Sequence, residues 1–317
     1  MEILKKHSSL ISIKNKGLSL TQKKTLNVLY MEAKKALENG QKQGKWYTVE
    51  LKKIRQLLGI KDTNKTHLND ELWKLTKISV EYNIFNKDKK VQWGKFGLLS
   101  NDLKITYDEG GKAILHYKLP QKIEENLVMP SIFAKIDLEV IKEIKSKYAV
   151  TFYELLEDYK NVNVPYMSIE EFKEFLGIEK EKYKLFGDLK KWVIQVIKEE
   201  INEKTPFTID FELKKEGPKV VGIQWRVVEY NNKKMNKYFE KMEFIENVRN
   251  NYKQGEALFI DVANGVTLLI GKNGLLAKKY DWKKKPETVK KDLAMAAWTW
   301  LFEHQELMEK PRGFFRI

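Results

Sequence analysis

Two widely separated stretches of the chain carry apolar residues in the same order. The matching positions are Leu51, Ile54, Leu57 and residues 58–60 in the first stretch, and Ile169, Phe172, Phe175 and residues 176–178 in the second. Apolar residues three positions apart predict a short helix in each stretch. Gly59 and Gly177 are expected to end these helices, because glycine adopts the left-handed conformation at no steric cost. The chain is therefore expected to contain one structural unit twice.

The pattern around the first stretch predicts two more helices and several strands. A long helix is expected after Ser19 or Thr21, either of which can cap it, and another after Asn64. A short strand is predicted at residues 46–49, and longer strands at residues 78–85, 91–99 and 113–119. The polar residues 86–90 lie between two of these strands and are expected to form a hairpin tip.

The second stretch has similar surroundings. Apolar residues within 148–159 predict a helix before it, and Ser168 is expected to cap the short helix itself. A third helix is predicted at residues 185–202, with the inward stripe Leu189, Trp192, Val193, Val196, Ile197 and Ile201. Strands at 207–213 and 220–228 predict a hairpin whose lysine-containing tip is residues 214–219. Helices followed by a hairpin in this order predict a winged helix in each copy.

The predicted fold class is α+β, with two tandem winged-helix domains and a small C-terminal α+β module. Pro120 and Pro130 fit no helix interior and bracket a segment that is expected to join the two winged helices. The predicted domains are residues 1–120, 121–230 and 231–317. In the third domain, helices are expected at residues 236–251 and from Pro286, with Leu293 in the apolar stripe of the last helix, and strands at 257–262, 266–270 and 275–280.

Composition adds a nucleic-acid partner to this picture. The 317 residues include 59 Lys and Arg against 44 Asp and Glu, and the net charge of +15 favours binding to phosphates. A lysine-rich solvated surface is the other explanation of the same charge. The chain has no cysteine, which excludes disulfides, thiolate zinc sites and thiol nucleophiles. With no membrane-spanning apolar run and no signal-peptide pattern, we expect a cytoplasmic protein with no membrane partner.

The sequence predicts no catalytic site. The four histidines lack the His-x-His spacing that holds a metal beside a nicking tyrosine. The glycines and lysine of residues 265–272 differ in spacing from a phosphate-binding loop and are followed by Asn273 instead of Ser or Thr, so a strand and a turn are expected there. We therefore expect a DNA-binding protein that is not an enzyme and that needs no metal and no cofactor.

The candidate DNA-binding residues lie on the outward faces of the two predicted third helices and at the hairpin tips. Lysine binds phosphate or guanine, and the amides of Asn and Gln form two hydrogen bonds with adenine. The candidates of the first winged helix are Lys65, Thr66, Asn69, Lys74, Lys89 and Lys90. Those of the second are Lys184, Lys190, Lys191, Gln195, Lys198, Lys214 and Lys215. Trp73 also lies on the first face, and whether it is a core or a DNA-contacting residue is left open.

Several segments share their residues with one known family. They are residues 9–11 and 18–24 near the N-terminus, residues 136–138 and 148–159, and residues 182–190 and 198–202 in and around the predicted third helix. In order and spacing they resemble the iteron-binding plasmid replication initiators. The resemblance covers residues 7–230, is strongest from 136 to 228, and does not extend beyond residue 231. The family typically has Arg where this chain has Lys in the recognition helix, and Lys lacks the planar fork of the guanidinium.

The resemblance implies a function and partners. It implies binding of double-stranded DNA at directly repeated origin sites, opening of nearby A·T-rich DNA, and recruitment of the host replicative helicase, initiator and polymerase components. It also implies a monomer active at the origin and a homodimer, formed through the first winged helix, that represses its own promoter. A transcriptional repressor with the same two units is the alternative, and a nicking nuclease is a third possibility. Direct repeats beside the gene favour an initiator, whereas an inverted repeat favours a repressor.

Overall fold

A computed structural model describes most of the chain. The described residues are 2–11, 17–59, 65–85, 91–128, 133–160, 163–261, 263, 266–271, 276–279, 287–288 and 291–308. The chain forms two compact units, Met1–Asn231 and Asn232–Ile317. Within the described ranges, no helix is long and apolar enough to cross a membrane.

The N-terminal part of the first unit contains the first winged helix. Its elements are β1 (Ile3–His7), α1 (Ser8–Ile11), α2 (Leu20–Glu38), β2 (Tyr47–Glu50), α3 (Leu51–Leu58), α4 (Lys65–Thr76), β3 (Ser79–Phe85), β4 (Val91–Gly97), β5 (Leu103–Tyr107) and β6 (Ala113–Tyr117). Ser19 caps α2 in a capping box with Gln22, and Gly59 ends α3 with a φ of 68°. Strand β6 lies between β2 and β5 in an antiparallel sheet that packs on α2 and α3.

The hairpins of this domain differ from the prediction in one respect. Strand β5 was not predicted, yet it pairs with β6 and completes the sheet that contains β2. Strands β3 and β4 form a separate two-stranded sheet. The residues between them, 86–90, were predicted to be the wing and lie outside the described residues. Local alternation of residues predicts strands but not their partners, because pairing depends on contacts made between distant segments.

The second winged helix follows in the same compact unit. Its elements are α5 (Gln121–Val128), β7 (Phe133–Asp137), α6 (Leu138–Glu143), α7 (Lys147–Asp158), β8 (Met167–Ser168), α8 (Ile169–Phe175), α9 (Phe186–Leu189), a π-helical segment (Lys190–Ile194), α10 (Gln195–Lys204), β9 (Phe207–Glu216) and β10 (Lys219–Tyr230). Ser168 caps α8 in a capping box with Glu171, and Gly177 follows with a φ of 68°. Strand β10 lies between β8 and β9.

An aromatic cluster forms the core of the second winged helix. The ring centroid of the buried Trp225 lies 4.5 Å from that of Phe152 on α7, 5.1 Å from Phe211 and 6.2 Å from Phe172 on α8. Aromatic pairs at these separations add to the free energy gained by burying apolar surface. The cluster therefore fixes α7 and α8 against the long β9–β10 hairpin.

The two winged helices are joined by one pair of strands and by helix packing. Strand β1 pairs with β7 from Ile3 opposite Asp137 to His7 opposite Phe133. Helix α5, which follows Pro120, packs on α2, and α2 also packs on α6 and α7. The segment expected to join the two winged helices therefore also packs on α2, and both winged helices belong to one compact unit.

A buried polar network lies where β1, α2 and α7 meet. The Nζ atom of Lys6 lies 2.8 Å from Glu154 Oε2 and donates to Asn27 Oδ1 at 3.0 Å. Asn27 Nδ2 donates to Glu154 Oε1 at 2.6 Å. One turn earlier, Lys23 Nζ donates to Thr151 Oγ1 at 2.7 Å. All five side chains are buried, so these contacts satisfy groups that would otherwise be costly to remove from water.

The second compact unit is an α+β module, as predicted. Its elements are α11 (Asn232–Asn251), β11 (Ala257–Asp261), β12 (Val266–Ile270), β13 (Leu276–Lys279), β14 (Glu287–Thr288) and α12 (Lys291–Glu303), and the strands form one antiparallel sheet in chain order. Trp298 and Leu301 of α12 pack with Leu258 and Leu276 in its core. Leu293 was predicted to share an apolar stripe with Leu301 but is 59% exposed, because Ala294 and Trp298 face the core together with Leu301.

Candidate nucleic-acid interface

The third helix of the second winged helix is a continuous run through α9, the π-helical segment and α10. Its buried apolar residues are Leu189, Val193, Ile194, Ile197 and Ile201. The prediction that Trp192 faces inward is wrong, since its side chain is 55% exposed. A π-helical turn takes in one more residue than an α-helical turn. The residue five positions after Leu189, Ile194, is therefore on the buried side, and Trp192 is displaced from it.

The opposite side of this helix is the candidate DNA-binding surface. Asp188, Lys191, Trp192, Gln195 and Glu199 follow one another at helical spacing, and we call this set the outward face. All are exposed except Gln195, which is half-buried. The Lys191 Nζ atom lies 4.5 Å from the centroid of the Trp192 ring. The outward face thus combines a cation, an amide and a large apolar ring between two carboxylates.

The lysines of this helix differ in how much of their charge is already paired. Lys190 and Lys191 are exposed, and no carboxylate of the described residues lies within ion-pairing distance of either. Lys198 instead forms an ion pair of 2.8 Å with Asp210 of β9, and this hydrogen bond lowers the pKa of the Asp210 carboxyl. Lys184 forms an exposed pair with Glu181 at 2.6 Å. Lys190 and Lys191 are therefore the cations of this helix best placed to meet phosphates.

The tip of the β9–β10 hairpin carries a second group of cations. Lys214 and Lys215 are exposed near the turn, where Gly217 adopts a φ of 58°. Lys214 lies opposite Gly222 in the sheet, and its Nζ atom lies 5.4 Å from the ring centroid of Tyr166. The Tyr166 ring covers Gly222 so closely that a Cβ atom there would lie 2.0 Å from its hydroxyl oxygen. Tyr166 therefore helps to position Lys214.

The contact of Tyr166 with Gly222 was not predicted from the sequence, although Gly222 indicated that some group approaches the strand there. A glycine within a strand pattern indicates that another group approaches the backbone closely. Gly222 lies in such a pattern, but the approaching group comes from the loop before β8, which the pattern of β10 does not identify.

The third helix of the first winged helix, α4, offers less. Lys74 is exposed, but its Nζ atom donates to Glu71 Oε1 at 2.9 Å, which raises the pKa of Lys74. Asn69 is half-buried, and its Oδ1 atom is buried without a hydrogen-bond partner among the described residues. The helix begins at Lys65, but the side chains of Lys65 and Thr66 lie outside the described residues, as do Lys89 and Lys90.

Helix α4 nevertheless shares one feature with its counterpart. Asp70, Trp73, Lys74 and Lys77 are all exposed and follow one another at helical spacing. Trp73 is 44% exposed, so it is not a core residue. Both third helices therefore present a tryptophan beside a lysine on the side away from their core. Within the described ranges, no three or more His, Asp or Glu side chains are grouped as metal ligands.

Two family models match this chain. Residues 3–157 match the model described as initiator replication protein, WH1, and residues 168–227 match the model described as initiator Rep protein, WH2. The chain belongs to the initiator Rep protein family. Its two winged helices are the WH1 and WH2 domains of a replication initiator. The WH1 match continues through α5, α6 and most of α7, so the predicted boundary at residue 120 lies inside it.

Other comparisons add little to this assignment. The crystal structure of selenomethionine derivatives of domains 2 and 3 of RctB is similar, with a TM-score of 0.43 and 13% sequence identity over 67% of this chain and 82% of that one. This level of similarity carries no argument about function. A comparison with curated proteins finds no match.

Proposed function

We propose that this initiator Rep protein binds directly repeated sites in the origin of its plasmid, with WH2 making the main sequence-specific contacts. The observation that carries the proposal is that Lys190 and Lys191 are exposed and have no carboxylate partner among the described residues, and that Lys191 shares the outward face with Gln195. Lysines bind phosphates and guanine, and a glutamine amide pairs with adenine in the major groove. Lys214 and Lys215 at the hairpin tip are two more exposed cations of WH2.

WH1 contributes to binding with less specificity. On α4 the Lys74 charge is paired with Glu71, whereas Lys190 and Lys191 of WH2 have no carboxylate partner among the described residues. The overall charge of +15 still attracts DNA to the whole protein. We therefore propose that WH1 adds affinity that depends strongly on salt, and that WH2 selects the site.

The later steps of initiation are proposed from family membership and from the resemblance of residues 7–230 to iteron-binding initiators. In this proposal the bound monomer promotes opening of A·T-rich DNA and recruits the host replicative helicase, initiator and polymerase components. It catalyses no reaction itself. A homodimer formed through WH1 binds the promoter of its own gene and represses it.

A footprint on the DNA that flanks the gene tests the proposal. We expect the full-length protein to protect a series of direct repeats beside an A·T-rich tract. The double variant K190A/K191A, at the same concentration, should protect none of them. Protection of one inverted repeat and no repeat array would favour a transcriptional repressor. Cleavage of supercoiled DNA in the presence of Mg²⁺ would favour a nicking nuclease.

A further inference from the structure

We propose that Trp192 contacts the C5-methyl groups of thymines in the major groove, so that WH2 selects sites with thymine at fixed positions. This inference rests on the proposed function, since it requires that the outward face enters DNA. It assigns to the indole ring the recognition of thymine methyl groups, with which polar side chains form no hydrogen bond.

The exposure of Trp192 needs an explanation. Its side chain is 55% exposed on a helix in which Leu189, Ile194 and Ile197 are almost fully buried and Phe186 and Val196 are half-buried. Exposed tryptophan is uncommon on the surface of a free protein and common where a partner binds. The π-helical segment Lys190–Ile194 displaces this residue from the core side. Such segments frequently occur at functional sites.

The charges around Trp192 favour DNA over a protein as the partner. Lys191 lies against the ring at 4.5 Å, Lys190 precedes it, and Gln195 follows one turn later, while the exposed Asp188 and Glu199 lie one turn before and two turns after the ring. Cations without carboxylate partners are costly to bury in an apolar protein interface. They are favourable beside a phosphate backbone, where each neutralised phosphate releases counterions. A large apolar group beside two lysines without carboxylate partners therefore fits a base edge flanked by phosphates.

The chemistry of the major groove identifies the group that the indole contacts. Base edges there present hydrogen-bond donors and acceptors, and the thymine methyl is the apolar group among them. The indole offers a large apolar surface and only one donor. Contact with methyl groups therefore uses most of the surface that Trp192 exposes. In WH1 the exposed Trp73 also lies beside a lysine, Lys74, but that lysine is paired with Glu71.

The test uses DNA that differs only by methyl groups. Full-length protein first selects a preferred duplex from a random-sequence library. Each thymine of that duplex is then replaced by deoxyuridine, which removes the C5-methyl group and leaves base pairing unchanged. Dissociation constants are measured for the wild type, W192A, W192F and the control V228A. Val228 is an apolar residue of the same domain, 65% exposed on β10 and outside the third helix.

The expected result is a coupling between Trp192 and particular methyl groups. Deoxyuridine at one or two positions should weaken wild-type binding about three- to fivefold, the effect of one buried methyl group. W192A should bind the original duplex more weakly and lose no further affinity at those positions. W192F should keep part of the sensitivity, and V228A should match the wild type.

Other results would overturn the inference. Unchanged affinity of W192A would show that the indole makes no DNA contact, and equal deoxyuridine effects in W192A and the wild type would show that it contacts another group. A large fall in the melting temperature of W192A would show that the residue is part of the core. These results leave DNA binding intact. If the library yields no preferred duplex, the proposed function fails and the inference fails with it.

Discussion

Individual lysines of the third helix differ in what they can offer to DNA, although they look alike in the sequence. Lys198 is paired with Asp210, which lies on the neighbouring strand β9. Lys190 and Lys191 are exposed and have no carboxylate partner among the described residues. Helical spacing predicted that these residues are exposed. It did not predict the ion pair, because Asp210 is brought beside Lys198 only when the hairpin folds back on the helix.

At the residue scale, we expect K190A and K191A to weaken DNA binding without unfolding the protein. Both side chains are exposed, so the melting temperature should stay nearly unchanged. Each lost phosphate contact should reduce the slope of log Kd against log salt by about 0.9. Titrations at four salt concentrations measure that slope. K42A is the matched control, because Lys42 is exposed in the turn between α2 and β2 and lies outside both third helices.

A result of the opposite kind would reject this assignment. If K190A or K191A lost stability while folded molecules kept the wild-type affinity and salt slope, these lysines would be structural and the DNA surface would lie elsewhere. An equal loss of slope in K42A would show that only the total charge matters.

At the scale of elements, the sequence predicted helices and their ends better than strand partners. The capping boxes at Ser19 and Ser168 and the glycines after α3 and α8 depend on residues within a few positions, and the structure confirms them. The missed strand β5 and the π-helical segment depend on long-range packing. Trp192 was therefore placed on the wrong side of its helix, and Tyr166 was not identified at all.

Two glycines, Gly177 and Gly187, test whether nearby residues determine where these helices begin and end. Gly177 follows α8 with a φ of 68°, where an L-residue is strained by about 1–2 kcal/mol. Gly187 lies in helix α9, and a Cβ atom there would have no neighbour within 4 Å. We expect G177A to lower the free energy of unfolding, and G187A to raise it by up to about 1 kcal/mol through higher helix propensity. Urea denaturation measures both values.

The signs of the two changes are the critical result. If G177A proved as stable as the wild type, the left-handed glycine would not be needed to end α8. A loss of stability in G187A would show that the start of the third helix is not regular in solution.

At the scale of the whole molecule, the fold joins WH1 and WH2 more closely than a tandem arrangement on a flexible connection. Pairing of β1 with β7 and packing of α2 on α5, α6 and α7 place both domains in the unit Met1–Asn231. The sequence patterns predicted both domains, but they carried no sign of the β1–β7 pairing, which joins segments more than a hundred residues apart.

This arrangement predicts how truncated proteins behave. A chain of residues 1–231 should unfold in one cooperative transition, because the module Asn232–Ile317 is a separate compact unit, and it should keep its site preference, because WH2 is intact. A chain of residues 138–231 should not fold stably, because it lacks α2 and the buried partners of Glu154. Circular dichroism during heating tests both. A cooperative transition in the shorter fragment would show that WH2 does not depend on α2.

The buried network between α2 and α7 gives the molecule a specific dependence on pH. Burial lowers the pKa of Lys23 in the folded protein to about 7, although the carboxylate of Glu154 partly opposes this effect. In the unfolded chain the ammonium group keeps its ordinary pKa of about 10.4. Between these values the unfolded chain binds one more proton than the folded protein. The free energy of unfolding therefore receives a contribution from Lys23 that rises with pH over this range and is constant below it.

We therefore expect the stability of the wild type, relative to K23M, to increase as the pH is raised from about 7 to 10. Methionine keeps an unbranched apolar side chain but cannot titrate, so the contribution of Lys23 disappears, while the contributions of other groups, including Lys24, cancel in the difference. Urea denaturation of both proteins at four pH values in this range gives that difference. K42M is the control, since Lys42 is exposed and its replacement should leave the wild-type pH dependence unchanged. Parallel pH profiles of the wild type and K23M would mean that Lys23 keeps its proton in the folded protein and that the network between α2 and α7 holds a charged ammonium group.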